Sequence, residues 1–451
     1  MEDNRFDQLL ELLGKCNFPE LRERLEKMNE VDIAEFMEGL NQEQTLLVFR
    51  ILPKDISADV FSYLDSDSRT GIIEAATDKE LHVLVDDLYL DDTVDMLEEV
   101  PANVVRRVLG STDAQTRELI NKFLNYPENS AGSIMTIEMV ELHDRFTVRE
   151  AIDHIRKTGV DKETIYTCYC IDDARHLIGS VQLRHLIMAD EDDLIRDIMD
   201  GMDYLRYVHT LDDQEEVADI VRKYDLLSVP VLDNEDRLVG IITVDDIVDV
   251  IEEENTEDIE KMNLLKPSGN DKPYLKTSVF RLAGNRIVWL LVLMISATFT
   301  GKIIENFETL LSGMVALTAA IPMLMDTGGN AGSQTSTLVI RNLALGEVTV
   351  RDYLRILWKE LRVALICSVI LGTVNLGRML LLRSGTIMEC LVTSLAMMCA
   401  VVVAKIIGCT LPIIAKLIHL DPALMAGPMI TTIVDAVTLI IYFSLAQAIL
   451  M

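Results

Sequence analysis

A single carboxylate, Asp435, stands half-way along the apolar run PMITTIVDAVTLIIYF. An ionised acid in hydrocarbon is costly, so Asp435 is expected to face water or the interior of a helix bundle. Its chemistry there is cation binding; the plainer role is a hydrogen bond between helices. Thr431 and Thr432, one turn earlier, add oxygen, and Gly427 and Pro428 are expected to free backbone carbonyls at that end. A second polar constellation lies in IPMLMDTGGNAGSQTSTLVIR. Asp326, Asn330, Ser333, Gln334 and Thr335 offer oxygens and amides, and Pro322, Gly328, Gly329 and Gly332 are expected to break the helix. Broken backbone at membrane depth survives where it lines a cavity; the other reading of these glycines is a helix-packing surface. Among the residues after His209 the only histidine is His419. The donors are therefore hard oxygens, which suit Mg2+, Ca2+ or Mn2+ rather than zinc or copper. Mg2+ sheds water reluctantly, and one carboxylate per chain is too few for a dry cage. The ion is expected to pass at least partly hydrated, between Asp435 side chains of two or more subunits.

Such residues need spanning elements to position them. Five apolar runs follow Asp271, at about Ile287–Ile304, Leu311–Ile340, Leu361–Leu382, Ile387–Ile418 and Ala423–Leu450. Each is near the roughly 20 residues that cross a bilayer. The basic residues Lys272, Lys276, Arg281, Arg286, Arg341, Arg351, Arg355, Lys359, Arg362 and Lys416 fall on one side. Lys302, Arg378 and Arg383 fall on the other, so the N-terminus is expected inside and the C-terminus outside. Trp289 and Trp358 sit near the expected interfaces. From Asp271 onward there are 10 acidic and 14 basic residues, a net of +4; the remainder carries −36. So acidic a front half would be repelled by nucleic acid and attracts cations. The seven cysteines form no C-x-x-C pair, and no disulfide framework or zinc site is expected. The N-terminus MEDNRFDQLLELLGK lacks a signal-peptide core, so the front half is expected in the cytoplasm.

A repeat runs from about Met135 to Glu254. LIGSVQLRHLI aligns with LVGIITVDDIV, with Gly179 and Gly240 61 residues apart. Each copy reads helix, strand, turn, strand, helix. The pair resembles tandem CBS domains, a regulatory module that binds adenine nucleotides. The family's Gly-x-x-Thr-x-x-Asp pattern is present as Gly240, Thr243 and Asp246; the first copy has Gln182 and His185 instead. At most one nucleotide site per chain, for ATP, is expected. Before the repeat, Leu52-Pro53 and Val100-Pro101 open similar helical units, suggesting a stacked array. Its faces are acidic, with Asp55, Asp59, Asp86, Asp87, Asp91, Asp92 and Asp95. Asp91 and Asp95, at i and i+4, repel each other unless a cation intervenes. After the repeat, VDDIVDVIEEENTEDIEKMNLLK is a second acidic helix or a continuation. The following LKPSGNDKPYLKTSVFRLAGNR suits a helix on the membrane surface.

Taken together the chain resembles the MgtE family of magnesium channels, on IPMLMDTGGNAGSQ, LDPALMAGPMITTIVDAV and VDDIVDVIEEENTEDI and on the order of its parts. The resemblance implies an all-α N-domain over 1–130, an α+β tandem CBS pair over 131–254, a connecting helix and linker over 255–284, and a five-helix pore domain over 285–451. It implies a homodimer in a cell membrane that takes up Mg2+ and is closed by cytoplasmic Mg2+. Asp435 would be the pore carboxylate, and Asp421 would face the connecting helix. Sensing positions implied by the family are Asp59, Asp91, Asp95, Asp213, Glu215, Asp225, Asp246, Asp249, Glu254, Glu257 and Asp258. Thr438 stands where some members have glycine. The alternatives are a nucleotide-regulated or a cation-coupled transporter of another divalent cation such as Co2+ or Mn2+. With no H-E-x-x-H motif, an intramembrane zinc hydrolase is not expected.

Overall fold

The computed structural model describes residues 3–266, 274–275, 277–311 and 314–450. The linker stretch 267–273 and Lys276, both used in the sequence reading, lie outside the described residues, as does the Asp55 side chain. The chain divides into two compact units, one built on Met1–Glu254 and the other running from Asn255 to the C-terminal helix.

The first unit opens with ten helices: α1 (Asp3–Gly14), α2 (Phe18–Leu25), α3 (Glu30–Glu38), α4 (Gln42–Ile51), α5 (Lys54–Ser62), α6 (Ser66–Ala75), α7 (Asp78–Asp87), α8 (Leu90–Glu99), α9 (Ala102–Ser111) and α10 (Ala114–Phe123). From α3 onward the N-cap positions are Asn29, Asn41, Pro53, Asp65, Thr77, Tyr89, Pro101 and Asp113, one every 12 residues. Asn, Asp and Thr side chains accept from the first-turn amides, and Asn41 and Thr77 complete capping boxes. Proline serves at two starts through its fixed φ. Alternate helices pack together, α3 on α5 and α4 on α6, and so along the array. Their buried stripes, including Ile33, Met37, Phe61, Ile73 and Leu81, form one core.

The rest of the unit is the repeat. The first copy holds β1 (Glu141–His143), α11 (Val148–Thr158), β2 (Thr167–Ile171), β3 (Leu177–Gln182), α12 (Leu183–Met188), α13 (Ile195–Ile198) and β4 (Asp200–Gly201). The second holds β5 (Val208–His209), α14 (Gln214–Tyr224), β6 (Ser228–Leu232), β7 (Leu238–Thr243) and α15 (Val244–Met262). The sheets run β1-β2-β3-β4 and β5-β6-β7, each with one parallel pair beside a hairpin. The aligned glycines do the same work in both copies. A Cβ at Gly179 would strike the Asp200 carbonyl, and one at Gly240 the Thr136 carbonyl, where neighbouring backbone crosses the hairpin. The acidic stretch after the repeat is no separate element: it continues α15 to Met262.

The second unit contains α16 (Val279–Asn306), the short α17 (Glu308–Leu311), α18 (Val315–Ala344), α19 (Tyr353–Leu382), α20 (Ile387–Leu417) and α21 (Gly427–Leu450). Among the described residues, four of the long helices are long and apolar enough to cross a membrane. The fifth, α18, has 30 residues but carries the polar stretch. Residues 279–286, expected in a surface helix, are the first turns of α16.

The expected break in the second span is absent: α18 is one continuous helix across Pro322 and all three glycines. Its glycines face the bundle. Cβ atoms at Gly328 and Gly329 would crowd Thr438 and Thr431 of α21, and one at Gly408 of α20 would run into the Gly332 carbonyl. The backbones of α18 and α20 touch at that crossing, and the small residues serve packing. Pro322 lies early in the helix, on its exposed side.

Candidate functional site

The membrane unit places its polar groups by helical rotation. On α18, Gly328, Gly329, Gly332, Thr335 and Ser336 are buried, whereas Asp326, Asn330 and Gln334 are exposed at four-residue spacing. These three form a polar stripe on one face. The Asn330 amide donates to the Asp326 carboxylate at 3.1 Å. Asp435, two turns into α21, is half-buried, and Asp326 lies close enough for its charge to bear on it. The Thr431 and Thr432 hydroxyls both donate to the Pro428 carbonyl, at 2.9 and 2.8 Å. That carbonyl is therefore engaged, and the hydroxyls keep lone pairs for an incoming donor such as an ion's water. The Ser333 hydroxyl is buried without a hydrogen-bond partner.

At the start of α21 the Asp421 carboxylate receives the Ala423 amide at 2.8 Å and pairs with Lys261, near the end of α15, at 2.8 Å. Lys261 also pairs with Glu257 at 2.7 Å. Burial opposes the Lys261 charge, but hydrogen bonds to the two carboxylates outweigh it and lift the ammonium above its usual range. Gly427, at φ +38°, turns the chain into α21 with no room for a Cβ against the Met262 carbonyl.

In the first unit, carboxylates from distant segments crowd one another. Asp91 and Asp92 occupy the first turn of α8, whose N-cap Tyr89 makes no side-chain cap; the helix dipole favours acids there. Asp91 is buried, and burial followed by the Asp246 and Asp92 charges raises its carboxyl well above the usual range. Asp92 is raised to about 6 by burial and by Asp246, with Arg69 opposing. Asp246, opening α15, is raised to about 6 by burial, against the Thr243 hydrogen bond and with Asp245 adding. Glu163 is raised to about 7 by burial and by Asp245 and Asp246, and its Oε2 is buried without a partner. Such acids bind protons or cations to relieve repulsion.

The other expected positions are spread out. Asp59 lies on the surface of α5, raised by partial desolvation and by Glu30. Asp95 is exposed one turn beyond buried Asp91, so the two share a helix without sharing an environment. Asp213 is the N-cap of α14 and receives the Glu215 amide at 2.9 Å. Asp225 is that helix's left-handed C-cap, at φ +51°. Asp249 is raised by desolvation and by Glu252 and Asp245. Glu254 accepts from the buried Gln214 amide at 2.9 Å. Glu257 and Asp258 are half-buried on α15. Among the described residues no three acidic, histidine or cysteine side chains stand together closely enough to hold a metal ion. The seven cysteines are free.

Of the nucleotide pattern, the Thr243 hydroxyl donates to Asp246 at 2.7 Å, and Gly240 keeps the strand open to close backbone approach. The sequence reading missed Asp245, the chain neighbour of Asp246, and Glu163, which only tertiary structure brings to that pair. It also missed Lys405, which is 6% exposed in the middle of α20 and donates to Thr335 at 3.1 Å. The signal was available: a lone lysine in CAVVVAKIIGCTL is as conspicuous as a lone aspartate in PMITTIVDAV.

Comparison with known proteins matches three family descriptions to this chain. A divalent cation transporter domain, MgtE, covers residues 321–445, the MgtE intracellular N domain covers 28–129, and a CBS domain covers 195–253. The magnesium transporter MgtE of Thermus thermophilus is 34% identical over 412 residues, 90% of each chain. That of Bacillus subtilis is 31% identical over 419 residues, 89% of this chain and 90% of the relative. Among solved structures, the soluble part of a magnesium transporter matches with TM-score 0.53 and 32% identity, covering 56% of this chain and 99% of that one. The cytosolic domain of the Mg2+ channel MgtE in complex with ATP matches with TM-score 0.52 and 35% identity, covering 54% and 99%.

Proposed function

The chain belongs to the MgtE family of divalent cation transporters, and from that premise we propose that it carries Mg2+ across a membrane past Asp435. The observation that carries the reading is the stripe of Asp326, Asn330 and Gln334, exposed on a long helix packed beside α21. Lipid is a poor neighbour for such a stripe. A water-filled path, walled by this face and its copy in a homodimer, satisfies it. Asp435 then grips a hydrated ion from both subunits, with Thr431 and Thr432 within a turn. Mg2+ enters down the membrane potential, worth about 2.3 kcal/mol per charge per 100 mV.

Regulation follows from the crowded acids. Asp91, Asp92, Asp245, Asp246 and Glu163 repel one another when ionised, and bound Mg2+ draws helical array and repeat together. Asp59, Asp95, Asp213, Glu215, Asp225, Asp249, Glu254 and Asp258 add weaker positions, and Glu257 and Asp421 act through Lys261. Cytoplasmic Mg2+ thereby favours the closed pore by binding that state more tightly. ATP is a second ligand, held at Gly240, Thr243 and Asp246; the support is the pre-oriented Thr243–Asp246 pair and the ATP complex of a 35% identical domain. An inside N-terminus accords with this arrangement.

The test is Mg2+ flux into liposomes holding the purified chain, native against Asp435→Ala. Saturable flux that the substitution abolishes supports the reading. Undiminished flux in the variant removes Asp435 from the path.

A further inference from the structure

Lys405 is a cation buried inside the membrane unit of a cation transporter, where no step of transport calls for a positive charge. A charged side chain at such depth is retained only with partners. Lys405 Nζ donates to the Thr335 hydroxyl at 3.1 Å, and that hydroxyl donates onward to Glu360 Oε2 at 3.1 Å. Thr335 is wholly buried. One hydroxyl thus accepts from an ammonium and donates to a carboxylate, linking α20, α18 and α19. The next residue, Ser336, also wholly buried, donates to the Met425 carbonyl at 2.9 Å. That carbonyl belongs to the short turn Pro422–Met425, which follows Asp421 and leads into α21.

We propose that the Lys405–Thr335–Glu360 chain is a buried latch that sets the rotation of α18, making these three positioning residues for ion passage. The inference rests on the transport reading above. Apolar contacts tolerate a helix turning by a fraction of a residue, whereas hydrogen bonds are directional and strengthen in a low-dielectric interior. The glycine crossing at Gly332 and Gly408 brings α18 and α20 backbone to backbone, and the side chains that pack beside it, such as Val339 and Leu343 with Cys409 and Ile413, are apolar and set no direction. Thr335 and Ser336 supply the stop to rotation one turn on. Because α18 is rigid between them, fixing Thr335 fixes where Asn330 and Asp326 point relative to Asp435. A turn of one residue, about 100°, would move the stripe off the ion path.

The experiment measures Mg2+ flux in liposomes per unit of protein that elutes as a single species. The native chain is compared with Thr335→Val, Thr335→Ser, Lys405→Met, Glu360→Gln and the double variant Lys405→Met/Glu360→Gln. Thr335→Val keeps shape and loses the bridge, and flux is expected to fall about tenfold, the weight of one hydrogen bond to a charged group. Thr335→Ser keeps the hydroxyl and restores flux. Lys405→Met and Glu360→Gln each strand one charge. Removing both restores charge balance, so the double variant exceeds either single one; a merely volume-filling role gives no such recovery. The Mg2+ concentration for half-maximal flux rises in Thr335→Val. If Thr335→Val does not fold, Thr335→Ser and the double variant decide by the same criteria. Native flux with Thr335→Val unchanged, or a double variant no better than the singles, overturns the latch. A native chain without flux overturns the transport reading itself.

Discussion

Replacing Asp92 by asparagine tests whether the crowded acids are held against their own repulsion. Asp92 lies in the first turn of α8, raised from 3.8 to about 6, foremost by burial and then by Asp246. Two pKa units correspond to about 3 kcal/mol, at 1.36 kcal/mol each. For an acid raised on folding, the folded unit holds more protons than the unfolded chain between about pH 4 and 6. Its stability therefore falls as pH rises through that window and stays low above it. Asparagine cannot ionise. At about pH 7.5 without divalent cations the variant should be the more stable, by about 1.5–3 kcal/mol once shared coupling and the lost Arg69 attraction are allowed for. In a unit of this size that is about 3–12 °C in melting temperature. At about pH 5 roughly half of the difference should remain, and little near pH 4. Mg2+ at ten times its dissociation constant stabilises a site by about 1.4 kcal/mol, and the variant should gain less. Circular dichroism melts of the detergent-solubilised chain, with and without Mg2+ across this pH range, give all three quantities. The two tryptophans, Trp289 and Trp358, both lie in the other unit and would not report. A variant that melts lower at pH 7.5, or keeps the full Mg2+ gain, refutes the reasoning.

Two further outcomes follow from single contacts. Lys261→Met leaves Asp421 and Glu257 without their shared cation, and a partly buried pair of this kind is worth about 1 kcal/mol. The internal Mg2+ needed to halve flux in proteoliposomes should rise about fivefold, and an unchanged value would take Lys261 out of regulation. Gly408→Ala puts a methyl group into the Gly332 carbonyl, whereas Gly377→Ala on α19 meets open space. The first should cost about 1–3 kcal/mol and lower the yield of monodisperse protein. The second should be neutral or mildly stabilising, since alanine is the better helix former, and equal yields would contradict the tight crossing.

Much of the fold is legible in residue patterns because the patterns are local. The duplicated hairpins, the long apolar helices and the helical array each follow from spacing. The 12-residue period of the array escaped because its markers share a role and not a letter: Asn41, Pro53, Asp65 and Tyr89 all begin helices. The glycines of α18 allow two readings from sequence, a break, because an isolated helix loses stability there, or a packing surface. In a bundle the same absence of a side chain lets backbones approach, and the packing gained offsets the propensity lost. Neither outcome is decided by α18 alone; it depends on Thr431, Thr438 and Gly408, about 75–110 residues further on.

The site divides in the same way. Asp435 was legible because one charge in an apolar run needs no partner to be noticed. The acidic cluster was half legible: Asp91 came through its helical spacing and the family resemblance and Asp246 through the Gly-x-x-Thr-x-x-Asp pattern, while Glu163 depends on a fold that brings it to Asp245 and Asp246, some 80 residues on. Lys405 is the instructive case. Its signal was as local as that of Asp435, but positive charges were weighed only as markers of sidedness, and a lysine in mid-span marks neither side. The physical rule has no such preference. Either sign of charge in hydrocarbon must be compensated, and in α20 the compensation runs through Thr335 to Glu360. A charge that the transported ion does not need, yet which two other helices are arranged to neutralise, is there to hold those helices. The polar stripe beside Asp435 lies on the helix so held.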